Sequence, residues 1–136
     1  MTTLMPMTRV LDAAFKGALE NCQTTDHTHN LTPRADVLES ETEFRLVLDL
    51  PGVKSRDLEI NLEKQTLIVK ASKATAVPEG FDLRRHERAS QAQYSRSFNL
   101  GNAVDGENVS AKLDEGVLQI TLPKSEASKP RRIEVQ

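Results

Sequence analysis

By type, the residues best suited to catalysis or metal binding are one cysteine and two histidines near the start of the sequence. Cys22 precedes the run Asp26-His27-Thr28-His29, in which two imidazoles could share a metal ion. A protein zinc site takes three or four ligands at familiar spacings, and no third ligand is found at such a spacing here. Solvated loop histidines are the simpler interpretation, and a metal-dependent enzyme using His27 and His29 remains an alternative. Cys22 lies in polar sequence, which argues against a nucleophile.

Other signals for small-molecule or nucleic-acid chemistry are weak. The sequence has no GxxxxGK[ST] phosphate loop, so we predict no ATP hydrolysis. Because the histidine and cysteine signals are also weak, we predict no other catalysis and no cofactor. The basic run Arg84-Arg85-His86-Glu87-Arg88 belongs to a chain of net charge −2, where such a run is more often a solvated strand edge. Aromatic residues make up only 4% of the chain and Trp is absent, so stacking on bases has little support. We expect no nucleic-acid partner.

The length and hydropathy of the chain indicate one compact domain with flanking tails. With 136 residues there is no room for two full domains. Apolar runs such as residues 46–50 fall far short of the roughly 20 residues that a membrane-spanning helix needs. The first ten residues lack the pattern of a secretory signal, and a single cysteine cannot form an internal disulfide. We therefore predict a cytoplasmic protein with no membrane partner.

Alternating apolar residues predict a series of β-strands between Asp36 and Leu122. In EFRLVLDL the even positions from Phe44 to Leu50 are apolar, as in a strand with one buried face. Residues 58–63 and 66–71 read as a hairpin, and three more alternating runs follow. Several short strands at this spacing predict a β-sandwich or barrel over residues 33–123. The stretch from Ser72 to Ala92 is too long for a hairpin connection, so it is either disordered or docked on something.

The sequence on either side of this domain has a different character. From Thr8, a predicted N-cap, TRVLDAAFKGALE has apolar residues at helical spacing and predicts an amphipathic helix. Residues 21–32 are polar and predict a linker, so residues 1–32 form an N-terminal arm. The alternative is a helix that packs on its own domain. Residues 124–136 form a predicted flexible C-terminal tail.

Two features of the predicted domain and tail suggest contacts with other chains. Arg96 shares the apolar face of its strand with Tyr94, Phe98 and Leu100, and a guanidinium there needs a partner. We expect a paired arginine at a subunit contact, with Asp82 as candidate partner; snorkelling at a sheet rim is the alternative. In the tail, Ile133 and Val135 project to the same side of an extended chain and predict an anchor for another groove. The alternative is a last strand of the same sheet.

These runs, in their order, resemble the small heat shock proteins of the α-crystallin family over about residues 33–136. The resemblance rests on PRADVLESETEFRLVLDLPGVKSRDLEI, YSRSFNL and VSAKLDEGVLQITLPK, and on the terminal Ile133-Glu134-Val135. The family signature A-x-x-x-x-G-V-L is matched by AKLDEGVL, and the tail is similar to the family's I-x-I/V motif. The resemblance implies an immunoglobulin-like β-sandwich and ATP-independent chaperone activity. It also implies a homodimer, made as in the bacterial and plant-type members by exchange of a strand from the long loop, that assembles into larger homo-oligomers through the tails.

The resemblance also implies roles for individual residues. Arg96 matches the family's arginine in the strand after the long loop. The residues that match the two strands of the tail-binding groove are Leu58, Ile60 and Leu62 with Val109, Ala111 and Leu113. Gly101 stands in place of the family's usual proline, and Lys64-Gln65 stands where Asp-Gly-like turns are frequent.

The leading hypothesis for function is a holdase, in which exposed apolar stripes capture unfolding client proteins before they aggregate. The arm offers candidate client-binding residues, and methionine suits this use because it repacks against many shapes. They are Leu4, Met5, Met7, Val10, Leu11, Phe15 and Leu19. The alternative is a CS-domain-like co-chaperone or protein-binding module, against which the I-x-V tail and the long loop both count.

Overall fold

The computed structural model describes residues 28–136 of the chain. These residues form eight strands in two four-stranded sheets, with short 3-10 turns between them. In chain order the strands are β1 His29–Leu31, β2 Ala35–Glu39, β3 Glu43–Asp49, β4 Leu58–Glu63, β5 Thr66–Ala74, β6 Gln91–Asn99, β7 Ser110–Asp114 and β8 Val117–Pro123. The all-β sandwich predicted from the alternating runs is confirmed.

The order of strands decides which of them lie at the ends of the sheets. The first sheet has the order β1-β6-β5-β4 and the second the order β2-β3-β8-β7. Neighbouring strands are antiparallel except for the parallel pair β1 and β6. An end strand presents one row of backbone N–H and C=O groups that another chain can pair with. In this fold those strands are β1, β4, β2 and β7.

The core lies between the two sheets and consists of the inward faces of the alternating runs. Residues from β3 and β8 in one sheet face residues from β5 in the other, and none of them is more than 2% exposed. They are Leu46, Leu48, Leu118, Ile120 and Leu122, with Leu67 and Val69. Fully burying one such side chain contributes about 1.5–3 kcal/mol relative to leaving it exposed. The predicted core face of each of these strands is confirmed.

Two tight turns join the antiparallel hairpins. Lys64 and Gln65 connect β4 to β5 with φ values of 45° and 68°, and Glu115 and Gly116 connect β7 to β8 with φ values of 49° and 78°. Two-residue hairpin turns of this type need a positive φ at both central positions. Gly116 adopts that conformation without steric cost, whereas Lys64 and Gln65 do so as ordinary L-residues. The β4–β5 turn therefore stores backbone strain.

The structure differs from the sequence prediction at two strands. Strand β1 lies within residues 21–32, which were predicted to be a linker, and pairs with β6 through His29 opposite Ala92. Its backbone groups bond to a strand far along the chain, and no local pattern encodes such a pairing. Pro123 was expected outside the strands, yet it is the last residue of β8, opposite Glu43. A strand end tolerates proline, because a missing N–H there breaks no continuing ladder.

Candidate protein-binding surfaces

Strands β4 and β7 end their respective sheets, and together they form what we call the β4/β7 edge. It comprises the six residues predicted to line a tail-binding groove, namely Leu58, Ile60, Leu62, Val109, Ala111 and Leu113. Leu58, Ile60, Val109 and Leu113 are half-buried against the core. Leu62 is 38% exposed and Ala111 is also exposed. The edge thus has apolar area left to bury.

The loop before β7 lies against one end of this edge. A Cβ added to Gly106 would stand 2.8 Å from Cδ2 of Leu62, so the backbone of the loop packs directly on that leucine. The side chain of Asp105 stabilises the conformation of this loop through two hydrogen bonds. Its carboxylate accepts hydrogen bonds from the N–H of Glu107 at 3.1 Å and from Nδ2 of Asn108 at 2.7 Å. Leu62 therefore brings the edges of the two sheets together.

The predicted tail divides into a docked part and an exposed part. Residues 126–128 form a 3-10 turn, and the Ser125 hydroxyl donates to the carbonyl of Asn102 at 2.7 Å. The Ser128 hydroxyl donates to the carbonyl of Ala103 at 2.8 Å. Residues 130–136, in contrast, are exposed and lack regular secondary structure. The structure places the start of the exposed tail near residue 130, rather than at 124.

The two candidate anchors lie in this exposed part. Ile133 is 86% exposed and Val135 is 96% exposed. Two β-branched apolar side chains this accessible have apolar area to bury on a partner. Among the strands that the structure describes in residues 28–136, none pairs with residues 129–136. Their predicted role as oligomer anchors stays a prediction.

Lys124 was assigned to the mobile tail by the sequence, yet its side chain is only 8% exposed. Its Nζ lies 2.7 Å from Oε1 of Glu39 and 5.0 Å from the centroid of the Phe44 ring. Its N–H donates to the carbonyl of Thr42 at 2.8 Å. Lys124 therefore joins the end of β8 to the β2–β3 hairpin. The sequence does contain an indication of this burial, because Lys124 continues the inward alternation of Leu118, Ile120 and Leu122.

Arg96 lies on the inward face of β6, as its position between Tyr94 and Phe98 predicted. Its Nη1 donates to the carbonyl of Pro33 at 2.9 Å, and its guanidinium carbon lies 5.1 Å from the Phe98 ring centroid. Pro33 is buried in the segment that crosses from β1 in one sheet to β2 in the other. The acceptor in the protomer is thus a backbone carbonyl, whereas Asp82, the predicted partner, is exposed. A subunit contact at Arg96 stays a prediction.

Strand β2 and the loop between β5 and β6 each expose large apolar side chains. Val37 is 61% exposed, although it pairs with the buried Leu46, and Leu38 on the opposite face is also exposed. The loop is closed at its base by the N–H of Thr75, which donates to the carbonyl of Ser90 at 2.7 Å. Residues 75–88 are all exposed. Phe81 is 73% exposed at the centre of this loop.

Several predicted residues lie outside residues 28–136. These are the candidate client-binding residues Leu4, Met5, Met7, Val10, Leu11, Phe15 and Leu19, together with Cys22 and His27. His29 lies in β1 and is exposed. Within the described part of the chain, no three His, Cys, Asp or Glu residues are grouped as a metal site would require. That same part contains no helix long and apolar enough to span a membrane.

Comparison with known families and curated proteins gives consistent matches. The model of the Hsp20/alpha crystallin family matches residues 36–136. Small heat shock protein C2 of Rickettsia felis is 31% identical over 107 residues, covering 79% of this chain and 70% of that protein. A probable 15 kDa heat shock protein of Leptospira interrogans is 37% identical over 94 residues, covering 69% of this chain and 71% of that protein.

Solved structures support the same relationship. A small heat-shock protein from Xylella fastidiosa, described as having a distinct high order structure, is 34% identical, with a TM-score of 0.62. The match covers 76% of this chain and 95% of that chain. Heat shock protein 16.0 from Schizosaccharomyces pombe is 27% identical with a TM-score of 0.63, over 78% of this chain and 99% of that chain.

The family match over residues 36–136 includes most of β2, strands β3 to β8 and the tail. The two-sheet sandwich is an α-crystallin domain, and its resemblance to the small heat shock proteins is confirmed. Members of this family act as chaperones and are not enzymes. The chain belongs to the Hsp20/alpha crystallin family of small heat shock proteins.

Proposed function

We propose that this chaperone is an ATP-independent holdase, which binds unfolding proteins and keeps them from aggregating. The observation that carries the proposal is the combination of a half-buried apolar β4/β7 edge with a highly exposed pair of tail anchors. An exposed apolar patch on a folded domain is typical of a surface that binds another protein. Capture of an unfolding chain requires only such surfaces, so no nucleotide is needed.

The tail and the edge also supply a means of assembly. Ile133 and Val135 of one chain bind the β4/β7 edge of a neighbour, where a strand-like segment can add to β4. Each contact is weak, because the exposed tail loses conformational entropy when it docks. Many such contacts on one particle strengthen one another by raising the local concentration of tails. Heating releases some tails and exposes the edge while client proteins unfold.

The dimer uses the opposite side of the sandwich. The loop of residues 75–90 reaches across to β2 of a second copy and pairs with its open edge. Support comes from the exposed apolar residues on both partners, Val37 and Leu38 on β2 and Phe81 on the loop. Burying a large apolar side chain contributes about 1.5–3 kcal/mol, so several together can hold two subunits.

The holdase proposal is tested by light scattering from a heat-aggregating model protein, with and without this chain, in the absence of ATP. We expect suppression of the scattering, because the apolar surfaces are present without nucleotide. A chain with Leu11→Ser and Phe15→Ser keeps the length of the arm and should suppress much less. A Thr2→Ser and Thr3→Ser variant is the matched control. The proposal fails if scattering with the unchanged chain equals scattering without it.

The same assay separates the holdase from a CS-domain-like co-chaperone. A co-chaperone acts on a dedicated chaperone partner, so it would leave the aggregation of an isolated client unchanged. Suppression by the purified chain alone would therefore count against that alternative. A cytoplasmic location stays a prediction from the sequence.

The dimer proposal is tested by Phe81→Ser, compared with Glu79→Ser two residues earlier in the same exposed loop. Loss of the phenyl ring should raise the dimer dissociation constant at least tenfold, whereas the glutamate change should have little effect. Sedimentation velocity over a range of concentrations measures this. Equal dissociation constants for the two variants would exclude the loop as the dimer contact.

A further inference from the structure

The outward face of β4 carries a charge pattern that can select one alignment of the bound tail. Along β4 the residues that point away from the core are Glu59, Asn61 and Glu63, so a neutral amide lies between two carboxylates. Both glutamates are exposed. In the tail, Glu134 lies between the anchors Ile133 and Val135, and Arg132 precedes them. A strand that docks beside β4 must bring these two charge patterns together.

The spacing of the anchors limits the alignments to two. Because side chains alternate along a strand, Ile133 and Val135 occupy either the Leu58 and Ile60 positions or the Ile60 and Leu62 positions. In the first alignment Glu134 lies beside Glu59, and two carboxylates repel each other. In the second alignment Glu134 lies beside Asn61. This assignment holds whether the tail runs parallel or antiparallel to β4.

The second alignment also gives Arg132 a favourable neighbour. In the antiparallel direction Arg132 lies beside Glu63, and in the parallel direction it lies beside Glu59. Asn61 Nδ2 already donates to Oε1 of Glu59 at 2.6 Å, and its second N–H remains available for a carboxylate. Leu62, which only this alignment covers, is 38% exposed, whereas Leu58 is half-buried already. Apolar burial and charge thus favour the same alignment.

We infer that Asn61 is the residue that sets the register of the docked tail, because its free amide N–H can donate to the Glu134 carboxylate at the one position between two glutamates that repel it. This inference rests on the proposed docking of the tail of a second copy at the β4/β7 edge. It adds an electrostatic component to a contact that the apolar anchors alone would leave free to shift by two residues. Because salt screens the repulsion between Glu134 and the two glutamates, the preference for this register should decrease as salt concentration rises.

The test uses a fluorescein-labelled peptide of residues 129–136 and fluorescence anisotropy. The host is the full-length chain with Ile133→Gly and Val135→Gly, so that its own tails do not compete. Asn61→Glu in this host should weaken binding of the unchanged peptide about three- to fivefold, since like charges would then face each other. Ser97→Glu is the matched control. It adds the same charge to the same outward row, two strands and about 10 Å away, and should change binding less than twofold.

A charge exchange makes the test independent of any effect on folding. A peptide with Glu134→Lys should bind the Asn61→Glu host more tightly than the host with Asn61 intact. Equal effects of Asn61→Glu and Ser97→Glu, or no reversal with the Glu134→Lys peptide, would overturn the inference while leaving tail docking in place. If a peptide with Ile133→Gly and Val135→Gly binds as well as the unchanged one, both the inference and the proposed docking fail.

Discussion

The two sides of this sandwich are both open, but they offer different kinds of contact. At the β4/β7 edge, half-buried apolar side chains from both sheets form a narrow surface that a short extended segment can cover. At the opposite end of the second sheet, β2 has exposed residues on both faces, and a long exposed loop connects β5 to β6. The first side suits a small ligand with two anchors. The second suits a wide contact between two domains.

This difference implies that the dimer contact is stronger than the docking of a single tail. A wide contact buries several large side chains, whereas a tail that docks two of them must also be ordered from an exposed state. Dimers should therefore persist under conditions that release the tails. Each side is also supported differently inside the protomer. Arg96 and Lys124 both tie the elements near β2 together, while the β4/β7 edge is held by the packing of Leu62 on the loop at Gly106.

The largest effect is expected from the tail. Replacing Ile133 and Val135 together by Gly removes about 3–6 kcal/mol of apolar burial per docked tail, before ordering costs are counted. Particles should shrink toward dimers while the β-rich circular dichroism spectrum persists, and native mass spectrometry measures the subunit number. An Ile133→Val/Val135→Ile chain keeps two β-branched anchors and should assemble normally. An unchanged subunit distribution for the double-glycine chain would contradict the proposed difference between the two sides.

The next effect concerns Arg96 on the β2 side. Arg96→Ala leaves the buried carbonyl of Pro33 without its donor and removes the contact with the Phe98 ring. We expect the free energy of unfolding to fall by about 2–3 kcal/mol. Urea denaturation measures this, and sedimentation velocity follows the dimer. Arg96→Lys keeps the positive charge, so its free energy of unfolding should fall by less. Unchanged melting and assembly in Arg96→Ala would mean that the side chain is only a solvated residue at the sheet rim.

A smaller and asymmetric effect is expected at the pair of Lys124 and Glu39. Glu39→Gln leaves the ammonium group of Lys124 buried without a carboxylate, so the free energy of unfolding should fall by about 1–2 kcal/mol. Lys124→Met leaves Glu39 exposed to water, and the thioether side chain still packs on Phe44, so the loss should be below about 1 kcal/mol. The comparison uses chemical denaturation of both variants. A larger loss in Lys124→Met than in Glu39→Gln would contradict this order and would show that the contact of the ammonium group with the Phe44 ring, which only Lys124→Met removes, contributes more than the cost of leaving that group unpaired.

The smallest effect is expected at the turn that ends β4. Lys64 adopts a φ of 45°, which asparagine tolerates better than lysine does. Lys64→Asn should raise the free energy of unfolding by about 0.5–1 kcal/mol without changing tail binding. Lys64→Ser is the control at the same site, because it removes the same charge but serine does not share the tolerance of asparagine for a positive φ. Equal stabilities of the two variants would show that backbone strain at this turn is not relieved by the substitution.

The candidate surfaces could be predicted from the sequence only in part. The alternation around Ile60 and Leu113 identified the inward faces of β4 and β7, and the spacing of Ile133 and Val135 identified an exposed pair. The acceptor of Arg96 could not be found in this way, because a backbone carbonyl has no sequence signal. Asp82 was chosen for its charge, whereas the structure uses Pro33, which the crossing between sheets brings beside β6.

The sequence by itself determined strands β3 to β8, their buried faces and the family, because periodicity and short motifs are local properties that a linear chain displays. Only the tertiary structure decided that His29–Leu31 pairs with β6, that Lys124 is buried against Glu39 and Phe44, and that β4 and β7 meet on one side. Each of these depends on residues far apart along the chain. Their contacts arise from the order of strands in two packed sheets, and no local pattern specifies that order.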